Sequence, residues 1–149
     1  MASVAVRRGI RVLGAYAVAV LVAYMLASVA STQWLLGSLV QAGSEVTATQ
    51  RLVTTGQDLL GLLPSYGLTT AIGMAVGLPI AAKMAEFFPA VRGIGLVVAG
   101  GVALASVHIV AQQGQFVSPV AAAGTSGALP ALGLAGGVGG YIYYLARRR

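Results

Sequence analysis

Nine Lys and Arg, three acids and one histidine are the charged or chargeable groups this 149-residue chain offers besides its tyrosines, and it has no cysteine. That set limits the chemistry before any fold is considered. Without Cys there is no disulfide, thiolate metal site, iron–sulfur cluster or thiol nucleophile. His108 is the one imidazole and sits inside an apolar run. An ionisable residue in such a place is a functional candidate by default. The roles open to it are a proton-relay group or an axial ligand to haem or chlorin. A single imidazole makes no metal site by itself, so no metal is assigned. The plainer reading is an interfacial histidine bonded to a neighbouring Ser, Thr or Gln.

Catalytic groups are equally scarce. An enzyme acting on lipid would have to draw on Glu45, Asp58 or His108 at one mouth of the protein. Ser and Thr are many, but no acid or imidazole is spaced for a triad. Gly-Xaa-Ser-Xaa-Gly and the Walker and dinucleotide glycine patterns are absent. Gly136-Gly137-Val138-Gly139-Gly140 has the look of a phosphate loop but lies within an apolar run. The expectation is a non-enzymatic protein with no catalytic residues and no cofactor beyond bound lipid. Lys83 and Glu86 stand one helical turn apart, with Arg92 shortly after. They could form an ion-pair gate or an anion site. The alternative is snorkelling plus an interfacial salt bridge, since long side chains near helix ends reach water at little cost. Arg147, Arg148 and Arg149 close the chain and suit anionic headgroups.

The elements that must hold these residues follow from composition. Hydrophobic residues make up 58% of the chain and charged ones 8%, against about 45–50% and about 25% in an ordinary soluble domain. Mean hydropathy is +0.88. A soluble monomer is excluded and the bilayer is the expected solvent. The net charge of +6 does not indicate nucleic acid, because the cations sit at the ends of apolar runs and form no patch with interleaved aromatics.

A bilayer core needs about 17–25 apolar residues as helix. Four stretches qualify: Val12–Ala30, Leu68–Phe88, Gly93–Ala111 and Pro130–Ala146. The expected fold is a single all-α membrane domain over 1–149 with four transmembrane helices. Eight cations (Arg7, Arg8, Arg11, Lys83, Arg92, Arg147, Arg148, Arg149) fall on one side of that arrangement and Arg51 alone on the other. The positive-inside rule then places both termini in the cytoplasm. Arginine exceeds lysine and Ala and Gly are abundant, which suits a GC-rich bacterial genome and an inner-membrane location. Ser28-Val29-Ala30 could end a cleaved leader, but the apolar stretch is longer than a signal core of roughly 7–15 residues.

Ser31–Gly67 is expected outside the membrane as an amphipathic segment of two helical pieces. Trp34, Leu35, Leu36, Leu39 and Val40 form one apolar side. Gly43 breaks the chain and Ser44 is placed to cap the next helix. That helix runs over Glu45–Leu63, with Val46, Leu52, Val53, Leu59, Leu60 and Leu63 on one side and Pro64 at its end. Glu45 falls in its first turn. Gln112–Leu129 reads as an irregular loop in which Phe116 and Val117 could return towards lipid.

Small residues recur at every fourth position in each span: Ala15, Ala19, Ala23 and Ala27; Gly73 and Gly77; Gly101 and Ala105; Gly133 with Gly137, and Gly136 with Gly140. Lipid gives helices no hydrophobic drive to associate, so close backbone approach must supply the contact. The fourth span has two such faces, one of which could serve a second subunit. Pro79 would bend the second span. These features suit a small accessory or assembly subunit of a larger membrane complex, with membrane lipids and other membrane subunits, or copies of itself, as partners. The alternative is a homo-oligomeric channel or transporter for a small solute, with Pro79, Thr69, Thr70 and His108 along its path.

Overall fold

The computed structural model describes residues 2–113 and 128–148 and is all-helical over them. Helix α1 runs Ala2–Gln41, α2 Ala48–Gly61, α3 Leu68–Phe87, α4 Arg92–Gln113 and α5 Leu129–Arg148. Four segments are long and apolar enough to cross a membrane: Gly9–Gln41, Leu63–Phe87, Pro89–Val110 and Leu129–Arg147. The chain is therefore read as a multi-pass membrane protein. Of the expected loop over 112–129, the ends are helical, in α4 and α5, and residues 114–127 with Phe116 and Val117 lie outside the described residues, as do the side chains of Arg8 and Arg148 and the whole of Arg149.

α1 corrects the first expectation. Its 40 residues form one unbroken helix, about 60 Å long at 1.5 Å per residue. The piece containing Trp34 and Leu39 is its upper end, not a separate element. No Gly, Pro or turn sequence interrupts Ala30-Ser31-Thr32-Gln33, so the helix has no reason to stop there. It stops at Gly43, whose φ of +91° is left-handed. Ser44 N–H donates to the Leu39 carbonyl and Gly43 N–H to that of Val40, each at 3.0 Å. This is the paired-bond ending that glycine favours, because it has no Cβ to clash.

α2 starts later than its pattern suggested. Thr47 is the cap, not Ser44: its Oγ1 accepts from Gln50 N–H at 3.2 Å, and Gln50 Oε1 accepts from Thr47 N–H at 2.8 Å. That reciprocal box satisfies two donors which Ser44 could not reach. Glu45 accordingly lies before the helix and is exposed. Pro64 does not end the run. It sits at the start of a π-helical turn, Leu63–Gly67, that leads directly into α3. Proline has no N–H to donate and clashes with the usual helical path. The chain widens instead, with Gly67 N–H reaching back to the Leu62 carbonyl at 3.3 Å.

α2 and α3 together run antiparallel to α1 for nearly its whole length. α5 packs along both α1 and α4, and α4 also packs on α3, whereas α1 and α3 touch less closely. The dry core comprises Met74, Leu78, Leu96, Leu104 and Leu132, all fully buried, with Ala19, Ala23 and Ala27 of α1. Glycine sets the spacing of α4 and α5. A Cβ at Gly100 would run into the Gly136 carbonyl, and one at Gly140 into the Leu96 carbonyl. A Cβ at Gly101 would lie 2.8 Å from the Gly133 carbonyl oxygen.

Candidate functional site

The end of the molecule where α2 packs on α1 holds the buried polar residues. α2 docks on the upper part of α1 through polar groups. Arg51 Nη1 donates to Gln33 Oε1 at 3.0 Å, and Gln33 Nε2 donates to Thr55 Oγ1 at 3.0 Å. Thr55 then donates to the Arg51 backbone carbonyl at 2.7 Å, closing a ring of three residues. Thr32 Oγ1 approaches Asp58 Oδ2 at 2.6 Å and the Ser28 carbonyl at 2.9 Å. Tyr24 donates to the Leu59 carbonyl at 2.8 Å, and its ring lies against that of Tyr66, with centroids 6.1 Å apart.

This docking turns α2 the opposite way from a helix burying its apolar side. No residue of Ala48–Gly61 is buried. Leu52 and Leu60 are 76% and 78% exposed, and Val53 and Leu63 are exposed too. Only Leu59, with Leu62 just after the helix, packs on the core. The reason is the angular spacing of the side chains. Arg51, Thr55 and Asp58 recur at the helical period and face α1's Thr32 and Gln33, leaving Leu52 and Leu60 on another side.

From beside α2 down to Thr70, a layer of buried hydroxyls runs along the interior. Ser28, Ser31, Tyr66 and Thr70 have buried oxygens with no hydrogen-bond partner among the described residues. Gly73 faces Val107 and Ala103, and Gly77 faces Ala103 and Ala99. That antiparallel register puts Thr70 level with His108, which is buried. An unmatched buried hydroxyl costs about 1–3 kcal/mol, so this layer is the most polar part of the span interior and a place for bound water. It ends where Met74 and Leu104 begin.

The residues singled out from sequence fall into separate places. Ala15, Ala19, Ala23 and Ala27 are buried on α1, with a Cβ at Gly139 reaching 2.8 Å from the Ala19 carbonyl oxygen. Gly73 and Gly77 meet α4, and Gly101, Gly133, Gly136, Gly137 and Gly140 lie in or beside the α4–α5 seam. Ala105 is half-buried. Thr69 and Pro79 do not share a path. Thr69 lines a groove between α3 and α4, while Pro79 lines a cleft of about 550 Å³ between α1 and α3. α3 continues through Pro79 without interruption. Glu45 lies beyond the far end of α2 from Asp58, about 15 Å of helix away. Lys83 and Glu86 form an ion pair at 2.8 Å with both side chains mostly exposed. Arg147 stacks 5.4 Å from the Tyr143 ring centroid. Among the described residues no three His, Cys, Asp or Glu side chains group to hold a metal.

Sequence reasoning passed over Gly100, Gly139, Tyr24 and Tyr66. Adjacent Gly pairs at 100–101 and 139–140 were the available signal for the first two, because a doubled glycine widens a contact face. Tyrosines inside otherwise apolar runs were the signal for the others, since a buried phenol usually needs a hydrogen-bond partner, which Tyr24 finds at Leu59 and Tyr66 lacks among the described residues. No family model, curated protein or solved structure matches the chain. What defines its class is the fold alone: an all-helical, multi-pass membrane protein.

Proposed function

We propose that the protein is a non-enzymatic accessory or assembly subunit of a larger membrane complex, with its outer helical hairpin as the docking element. One observation carries this reading: α2 holds α1 by its polar side and leaves Leu52, Val53 and Leu60 uncovered. That apolar strip continues through Leu63 and Leu68 onto Ile72 and Val76 of α3, all exposed. A strip that rises from the lipid-facing surface onto a projecting hairpin fits the side of another membrane subunit whose helices extend beyond the bilayer by a similar height. Large exposed apolar patches outside lipid mark interaction sites.

The inner half of the bundle speaks against a solute route through one chain. Met74, Leu78, Leu96, Leu104 and Leu132 close the interior below the hydroxyl layer. The test is site-specific photocrosslinking in cells, with the reactive group at position 52 or 60 and, as controls, at exposed Gln50 or Gln57. Positions 52 and 60 are expected to give an adduct with a different membrane protein that 50 and 57 do not. Adducts only with copies of this chain, or only with lipid, overturn the accessory-subunit reading.

A further inference from the structure

The groove between α3 and α4 opens sideways and has a volume of about 1060 Å³. That is the upper end of the roughly 300–1,000 Å³ typical of small-molecule pockets. Its floor is made by small residues, Gly77 and Ala81 on α3 and Gly95 and Ala99 on α4, and its rims by exposed Ile and Val. It extends from Thr69 to Phe88, about 30 Å at helical rise, which is the depth of a bilayer's hydrocarbon. A Cβ at Gly95 would meet nothing within 4 Å, so this part of the floor is vacant space and not a helix contact.

The α3–α4 turn that closes the groove is flanked by cations, although none of them lines the groove itself. Phe88 and Val91 line it, and Arg92 follows directly. The Arg92 Nε atom is buried and has no hydrogen-bond partner among the described residues. Lys83 stands at the exposed edge of α3, with Glu86 beside it, and Arg92 and Arg147 lie within electrostatic reach of that carboxylate. Three cations against one acid leave this end positive. A second copy of the chain, packed in the same orientation, would bring an equal positive charge against it. A guanidinium with an unsatisfied donor beside a greasy slot is instead matched by a phosphate joined to acyl chains.

We propose that the α3–α4 groove is a binding site for an anionic phospholipid of the Arg92-side leaflet, its acyl chain laid along Gly95 and Ala99 and its phosphate held at Arg92 with Lys83. The groove shares Ile72 and Val76 with the lower end of the exposed strip, but Lys83, Arg92, Gly95 and Ala99 lie towards its other end, and the variants at 92 and 95 test the site apart from the docking role. The selectivity is for headgroup charge, and the groove converts a general surface attraction into retention of one molecule.

The experiment compares full-length protein in nanodiscs or mild detergent with phosphatidylglycerol, phosphatidylcholine or inorganic phosphate added, read by native mass spectrometry and by Tm. Wild type is expected to retain phosphatidylglycerol, to gain Tm from it, and to respond to neither phosphatidylcholine nor phosphate alone. Arg92→Gln is expected to weaken that retention roughly fivefold, the effect of one cation near a charged surface, with Tm in phosphatidylcholine unchanged. Gly95→Phe keeps every charge but fills the slot, and is expected to abolish retention. Phosphatidylglycerol retained equally by wild type and both variants overturns the proposal. So does loss in Arg92→Gln with full retention in Gly95→Phe, which would make the attraction one of headgroup alone. A Tm gain from phosphate alone, or a dimer that Gly95→Phe abolishes, overturns it as well.

Discussion

At the scale of single residues, the α4–α5 seam is the sharpest constraint in the protein. Gly100, Gly136 and Gly140 stand where any side chain would strike the backbone of the opposite helix. Backbone cannot rotate aside as a flexible side chain can, so the helices themselves must part. Gly136→Ala is expected to destabilise the protein by about 1–3 kcal/mol, the usual cost of overpacking. Gly95→Ala, with open space at its Cβ, is expected to stay within about 0.5 kcal/mol of wild type. Thermal unfolding in detergent separates the two. Equal changes in the two variants would mean that the close contact at Gly136 does not set stability, since the helix-propensity gain of Ala over Gly is common to both. Thr32 makes a second single-residue case. Its 2.6 Å contact with Asp58 joins a hydroxyl to a charged group, a bond worth about 1.5–3 kcal/mol. Thr32→Val is expected to loosen α2, seen as faster amide exchange over 48–61 with exchange over 92–110 unchanged.

Elements differ in how openly the sequence states them. The spans were legible because an apolar run of the right length has few other solutions: α3, α4 and α5 begin and end within two residues of their expected bounds. α1 was harder. A span-length window stops near Ala30, yet nothing in Ser31-Thr32-Gln33 ends a helix, and the absence of a stop is a weaker signal than the presence of one. The side of α2 facing inward was not legible at all. Apolar periodicity names an apolar side but not the partner, and here Arg51, Thr55 and Asp58 find polar partners on α1 while the leucines do not turn in. Its start was readable in principle, because Thr47 and Gln50 have the three-residue spacing of a capping box. Thr47→Ala is expected to cost about 1 kcal/mol, appearing as fraying of residues 48–51 in amide exchange. Fraying that reaches α3 would show that the cap holds more than the first turn. The buried hydroxyl layer was half visible: His108 and Thr70 were marked, but the register that levels them needed the Gly73 and Gly77 contacts.

At the scale of the whole molecule, helix lengths and charge placement point to one arrangement in the membrane. α4 and α5 have 22 and 20 residues, about 33 and 30 Å, close to the roughly 30 Å of hydrocarbon they must cross. α1 exceeds them by nearly the same length again. Its surplus projects mostly at its C-terminal end, where α2 runs back beside it. The projecting end carries Arg51 as its only cation, while Arg7, Arg11, Lys83, Arg92 and Arg147 gather at the other. Lys and Arg near span ends resist transfer across the membrane, and the positive-inside rule therefore predicts that this side is cytoplasmic. Reporter fusions after residue 149 and before residue 2 are expected to read cytoplasmic, and a tag inserted at Ser44 in the hairpin turn to read external. A leaflet-impermeant reagent should label a cysteine at position 45 in intact cells but leave one at position 90 unlabelled until the membrane is opened. Reversal of both results would place the hairpin inside the cell, where its apolar strip would meet partners from the cytoplasmic side. It would also move the cationic end of the α3–α4 groove to the outer leaflet.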